Sequence, residues 1–232
     1  EAGADFLDIG ACSTRPGADM PSVAEEKARL IPVLKAIKEH CPASLVSVDS
    51  FRAEVAHAAI EAGADLINDV SAGEADPEMF PLLQQVNVPY IMMHKKGTPK
   101  TMQQQPTYAN VLLEVTEYLS HKILELNQLG VYDIIADPGF GFGKSLEHNY
   151  EILCQLDHLK ILDVPLLIGL SRKRMIYNLL DSTPDKALNG TSILNFKALQ
   201  GGANILRVHD VKETKEVVKI FEKMQEVEEG LE

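Results

Sequence analysis

Short runs rich in Val, Ile and Leu alternate along the whole chain with longer stretches in which apolar residues recur at helical spacing. That alternation is the pattern of repeated strand–helix units wound around a parallel sheet. Seven runs read as strands, at about residues 5–9, 45–49, 65–70, 90–93, 133–137, 165–170 and 203–208. The intervening periodicity predicts helices, among them 23–40, 111–130, 187–201 and 211–227.

An internal echo sharpens this reading. The pentapeptide E-A-G-A-D stands at residues 1–5 and again at 61–65, and Q-G-G-A-N stands at 200–204. Each marks a helix ending just before a strand, because a helix commonly stops on a residue in the left-handed conformation that glycine adopts at little cost. Residues 1–3 therefore read as the tail of a helix, and the lack of an initiating Met agrees. The fold expected is α/β, a (β/α)8 TIM barrel lacking its first strand and most of its first helix in this chain, as one domain over residues 1–232. An open doubly wound sheet would need a Gly-rich first turn and a topological switch point, and the sequence offers neither.

Composition narrows the functional classes. At 232 residues and 45% hydrophobic content, the chain suits one large core. No run approaches the roughly 20 apolar residues of a membrane helix, and the N-terminus lacks the order of a secretory signal. A soluble, cytoplasmic protein is expected. The formal charge of −12 argues against nucleic acid or anionic lipid as a partner, so an anionic substrate would need a local cationic pocket. Cys12, Cys41 and Cys154 lack the paired spacing of a zinc site or disulfide framework and read as reduced thiols.

In a parallel barrel the active site is built at the C-terminal ends of the strands. Nearly every predicted strand here ends in a polar group. Asp49, Asn68 and Asp137 close three of them and converge on one mouth, where carboxylates and an amide suit a flat heteroaromatic ring. The competing reading is that they merely cap the following helices, a place Asp and Asn favour. The run D-P-G-F-G-F-G-K at 137–144 brings backbone N–H groups and a Phe close to a ligand, or else turns tightly with Phe140 or Phe142 in the core. Its spacing is not that of a Walker loop. Lys173, in S-R-K-R, offers positive charge to an anion or a carbonyl oxygen, with a solvated basic face as the alternative. Arg207 and His209 flank Val208, which points them to one face as a phosphate or pyrophosphate clamp. His94 has no partner at metal-ligand spacing and reads as a hydrogen-bonded structural group. Cys12 as a nucleophile and Lys173 as a Schiff-base lysine are weaker readings of the same mouth.

Together D-I-G-A-C-S-T-R-P-G, V-D-S-F-R, I-N-D-V-S, M-H-K-K-G-T-P-K-T-M-Q, D-P-G-F-G-F-G-K, G-L-S-R-K-R-M-I and R-V-H-D-V resemble the dihydropteroate synthases in order and spacing, over essentially the whole chain. The resemblance implies a transferase of folate biosynthesis, a sulfonamide target, that condenses 6-hydroxymethyl-7,8-dihydropterin pyrophosphate with 4-aminobenzoate. It implies release of pyrophosphate before the amine attacks. Asp49, Asn68, Met92, Asp137, Gly169 and Lys173 would bind the pterin, with Asp49 and Lys173 catalytic, and Arg207 and His209 would bind pyrophosphate. Thr14, Arg15, Pro16, Phe142 and Arg174 would meet the aminobenzoate. Mg2+ is the implied cofactor, with its expected Asn ligand in a segment outside this chain, so that poor activity of these residues alone is expected. A homodimer is implied as well. The sequence departs from the family where Ala11 and Cys12 stand in place of a common Gly-Glu, and where Arg174 stands in place of a frequent Ser. Two rivals share parts of the pattern: a pterin-binding barrel that passes a methyl group to a corrinoid protein, and a non-catalytic binding module.

Overall fold

The computed structural model describes residues 2–12, 20–97 and 106–231. Parallel strands β1 (Phe6–Ile9), β2 (Leu45–Asp49), β3 (Leu66–Asp69), β4 (Tyr90–Met93) and β5 (Ile134–Asp137) pair in sequence order. Strands β6 (Leu167–Ile168) and β7 (Ile205–Leu206) pair with each other, and a single bridge from Ala136 to Leu166 joins them to β5. The result is a seven-stranded parallel arc in chain order, the barrel topology that the alternating pattern predicts. The last two ladders are shorter than their apolar runs. Pro165 has no N–H to give, and its carbonyl accepts from Ala136 N at 2.9 Å.

Helices α1 (Val23–His40), α2 (Ala53–Glu61), α3 (Met79–Gln85), α4 (Val111–Gln128), α5 (Leu146–Cys154), α6 (Arg174–Tyr177), α7 (Leu188–Gln200) and α8 (Val211–Glu229) fill the crossovers. Their starts follow local chemistry. Ser22 accepts from Glu25 N while the Glu25 carboxylate accepts from Ser22 N, closing a capping box on α1. Asn110 caps α4 by accepting from Leu113 N, and Ser145 caps α5. None of Asp49, Asn68 or Asp137 is the cap of a helix, which removes the alternative reading of those three. The echoed glycines behave as their sequence suggests, with φ of 90° at Gly3, 102° at Gly63 and 99° at Gly202. None of the described helices is long and apolar enough to cross a membrane.

Strand side chains alternate between two cores. On the outer face Val46, Val48, Ile67, Tyr90, Met92, Ile134, Ala136 and Ile168 pack beneath the helices. On the inner face Leu66, Ile91, Ile135 and Leu167 form a separate layer with Ile205 against it. Two residues further along each strand, the same inner face carries Asn68, Met93, Asp137, Gly169 and Arg207. The apolar layer is thus the floor on which the polar strand ends stand.

Candidate active site at the strand ends

Asp49 and Asn68 are lateral partners in the β2–β3 ladder, so their side chains leave the sheet side by side. Arg207, just past β7, reaches across the opening of the arc to two carboxylates. Its Nε donates to Asp8 Oδ2 at 2.6 Å and its Nη2 to Asp49 Oδ2 at 3.1 Å. Asn68 Nδ2 lies 3.3 Å from Asp8 Oδ2. Burial, and then the neighbouring Asp8 charge, push the Asp49 carboxyl up to about 7 against the opposing pull of Arg207. A carboxylate poised near neutrality in a cleft is a functional-site signature.

Asp137 sits deeper on the same rim. Its Oδ1 accepts from Gly139 N at 2.7 Å. Burial raises its pKa, while Lys173, the Gly139 N–H, Lys144 and Arg207 all pull it down. Lys173 enters from beyond β6, its Nζ donating to Phe140 O at 2.5 Å and lying 5.1 Å from the centre of the Phe142 ring. Burial lowers Lys173 to about 8, partly offset by Asp137. The choice between the two Phe residues resolves here, since Phe140 is fully buried in the core and Phe142 is half-buried beside Lys173. A Cβ on Gly169 would stand 3.7 Å from Lys173 Nζ and 3.8 Å from Arg207 Cβ, which places Gly169 between the two cations.

His209 is held by Ser171 from the β6 end. The Ser171 hydroxyl accepts from His209 N at 3.2 Å and meets His209 Nδ1 at 2.9 Å. The hydroxyl thus holds both the backbone and the ring of His209, fixing the orientation of the imidazole. Arg172 clasps Asp210 through Nε and Nη2, fixing the turn that carries Lys173 to the start of α8.

One expected residue lies elsewhere. Met92 faces outward into the core beneath the helices and is fully buried there, opposite Asp69 in the ladder. Met93, opposite Asp137, is the methionine of the inner face. The residue types are the same and only the strand's two-residue period tells them apart. Arg174 is exposed at the first position of the short α6. Thr14, Arg15 and Pro16 lie outside the described residues. Two groups at the rim carry no assignment from sequence, Asp8 and Lys144. Asp8 could have been found from parity, since it lies opposite Ser47, on the face that Asp49 also takes.

His94 is a hydrogen-bonded group, as its isolation in the sequence suggests, with Nδ1 2.9 Å from Lys144 Nζ. Among the described residues no group of three or more His, Cys, Asp or Glu side chains is placed to hold a metal ion.

A parallel arc whose rim gathers buried carboxylates, an amide and three cations matches the pterin binding enzyme family over residues 1–209. Pterin-binding barrel enzyme is thus the class that fold and site define. The chain is 41% identical over 223 residues to the dihydropteroate synthase of Escherichia coli K12, across 95% of this chain and 78% of that protein. It is 40% identical to the dihydropteroate synthase of Synechocystis, across 95% and 77%. Among solved structures, the Yersinia pestis dihydropteroate synthase with a sulfonamide drug superposes at a TM-score of 0.93 and 38% identity, covering 97% of this chain and 82% of that one. The Xanthomonas albilineans enzyme with 4-aminobenzoic acid gives 0.90 and 40%, covering 97% and 80%. The chain belongs to the dihydropteroate synthase family.

Proposed function

We propose that the strand-end cluster carries out the family's condensation, joining 6-hydroxymethyl-7,8-dihydropterin pyrophosphate to 4-aminobenzoate to give 7,8-dihydropteroate and pyrophosphate, with its groups divided between ring and leaving group. The observation that carries this reading is the buried Asp137 carboxylate, braced by Gly139 N and flanked by Lys173, on the same rim as Asn68 and Asp49. A carboxylate kept largely from water binds strongly to paired N–H donors, such as a pterin's ring amide and exocyclic amine. Asn68 meets the adjacent edge, and Lys173 donates to the ring carbonyl. Met93 takes the place expected for Met92 beside the ring, and Gly169 leaves the space a flat ring needs between Lys173 and Arg207.

In the proposed order of events the bond between the pterin methylene carbon and the pyrophosphate oxygen breaks first, its electron pair leaving with pyrophosphate. Arg207 and His209 receive that anion, a role suited to Arg's planar fork. The cation left behind is delocalised onto the ring nitrogens, and ionised Asp49 stabilises it electrostatically. The aminobenzoate nitrogen then attacks the methylene and releases a proton. Phe142 provides a wall for the aminobenzoate ring, Arg174 a charge for its carboxylate, and Thr14, Arg15 and Pro16 the covering loop. No covalent enzyme intermediate is needed, so neither Cys12 nor a Schiff base at Lys173 has a part.

Magnesium is proposed on the family resemblance alone. Among the described residues no group of three or more His, Cys, Asp or Glu side chains would hold it, and no step above passes through a metal. A cytoplasmic homodimer is also proposed, in keeping with the apolar residues that α8 leaves exposed, Ile220, Met224 and Val227.

Two measurements test the reading. Titration calorimetry with 6-hydroxymethyl-7,8-dihydropterin pyrophosphate is expected to show binding that Asp137→Asn weakens at least about tenfold, since a charged hydrogen-bond partner contributes about 1.5–3 kcal/mol. Equal affinity in the variant would remove Asp137 from the ring site. Formation of dihydropteroate from the two substrates by the whole protein separates this activity from methyl transfer to a corrinoid protein, and no product would sink the synthase reading.

A further inference from the structure

Asp8 lies at the rim of the cluster yet has no part in the mechanism above. It leaves β1 with its side chain 19% exposed, and it touches two of the groups that mechanism relies on. Arg207 Nε donates to its Oδ2 at 2.6 Å, and Asn68 Nδ2 lies 3.3 and 3.5 Å from its two oxygens. We propose that Asp8 is a positioning residue for pterin binding, fixing both the amide orientation of Asn68 and the resting place of the Arg207 guanidinium. The proposal rests on the pterin reading of the site and adds a residue to it.

The argument starts from donor and acceptor capacity. An ionised carboxylate only accepts hydrogen bonds, whereas an Asn amide offers a donor end and an acceptor end of almost the same shape. With Nδ2 turned toward Asp8, Asn68 must present Oδ1 to the mouth. The site then selects a ring edge bearing N–H groups, as a pterin's is, and disfavours an edge bearing only acceptors. An unconstrained Asn68 could rotate and serve either edge, and it would lose part of that discrimination. The same carboxylate holds Arg207 by Nε, so the guanidinium is shared between Asp8 and Asp49. That sharing keeps Arg207 at the border between the ring carboxylates and the side where His209 waits for the anion.

Asp8 also bears on the charge of Asp49. The charged groups acting on Asp49 are Asp8 from β1, Arg207 beyond β7 and, from behind the strands, Asp69 from β3 and Glu26 from α1, and the Cys12 thiol feels the Asp49 charge in turn. Asp8 is the strongest like charge among them and it draws Arg207 partly away. Replacing its carboxylate by an amide acts twice in the same direction: one repulsion disappears and Arg207 is released toward Asp49. Both effects make Asp49 more acidic.

The experiment is titration calorimetry of 6-hydroxymethyl-7,8-dihydropterin pyrophosphate into the full chain from pH 5 to 9, for wild type, Asp8→Asn, Asp8→Ser and Asp8→Glu. Wild-type affinity is expected to fall as pH drops through about 7, where Asp49 takes its proton. In Asp8→Asn and Asp8→Ser that midpoint is expected about one pH unit lower, as loss of one nearby like charge and gain of an opposite one imply. Near pH 8.5 the same two variants are expected to bind about three- to tenfold more weakly, the effect of one loosened hydrogen-bonding partner. Asp8→Glu, which keeps the charge, is expected to retain the wild-type midpoint. Wild-type affinity at pH 8.5 in both Asp8→Asn and Asp8→Ser overturns the proposal, and so does a midpoint unmoved in both. Wild type that does not bind the pterin at any pH overturns instead the reading of the site on which the proposal stands.

Discussion

Lys144 donates to His94 Nδ1 at 2.9 Å, and this contact ties the glycine-rich loop after β5 to the end of β4. The same Nζ also donates to Gly139 O at 2.9 Å and Phe142 O at 3.3 Å, so one side chain clamps its own loop at two points. His94 is an acceptor here and therefore neutral, which agrees with burial and the Lys144 charge pushing its pKa down to about 3. The glycines make so close an approach possible. Gly139 has φ of 70°, and a Cβ there would fall 1.9 Å from His94 O; at Gly143 it would fall 2.1 Å from Lys96 O. The loop thus docks backbone to backbone, and in doing so it presents Gly139 N to Asp137 and Phe140 O to Lys173.

Lys144→Met keeps the aliphatic bulk and removes the donor. Gly139 O, Phe142 O and His94 Nδ1 would each lose a partner in a dry setting, where an orphaned polar group costs about 1–3 kcal/mol. A loss of several kcal/mol in urea unfolding is expected, along with weaker pterin binding, because the braces of both Asp137 and Lys173 come from this loop. Unfolding at the wild-type urea concentration would show that the glycine backbone docks without the clamp.

Asp49 makes the stability of the protein depend on pH in a direction opposite to that of an acid whose folded pKa is depressed by its partners. Its folded pKa, about 7, lies above the ordinary carboxylate value near 3.8, so the folded state binds this proton more tightly than the unfolded one. The corresponding stability is fully present below pH 4 and is lost as pH rises through about 7. Asp49→Asn cannot titrate and is spared that loss. The difference in Tm between variant and wild type is expected to move in the variant's favour from pH 4 to pH 7 and then level off, while pterin binding is impaired at every pH. A Tm difference independent of pH over that range would mean that Asp49 is not held near neutrality.

The order of the strands and, to within a residue, the starts of α1, α4, α7 and α8 were legible because they rest on local signals: β-branched runs, helical periodicity and glycines at the helix ends. The strand-end positions of Asp49, Asn68, Asp137 and Lys173 followed from barrel geometry together with family resemblance. What escaped was set by long-range pairing. Asp8 and Arg207 are 199 residues apart and meet only because the ends of the arc face each other across the mouth. Lys144 and His94 are 50 residues apart, and nothing in either local sequence announces the other. The family resemblance points to Met92 at the mouth, but the register that separates it from the adjacent Met93 is fixed by the facing strands.

That register can be tested by truncating the two methionines separately. Met92 is fully buried in the core beneath the helices, opposite Asp69, whereas Met93, opposite Asp137, borders the mouth. Met92→Ala removes a thioether chain from a packed interior, so a loss of about 2–5 kcal/mol is expected in urea unfolding, with pterin affinity nearly unchanged in the folded fraction. Met93→Ala is expected to weaken pterin binding several-fold, because an apolar side chain that covers a bound ring excludes water from the hydrogen bonds at Asp137 and Asn68. Since Met93 is itself 3% exposed, some stability will be lost in that variant too, and the decisive quantity is affinity. If Met92→Ala weakens binding and Met93→Ala leaves it intact, the inner face of β4 is the opposite one, and the floor formed by Leu66, Ile91, Ile135 and Leu167 would have to be redrawn with it.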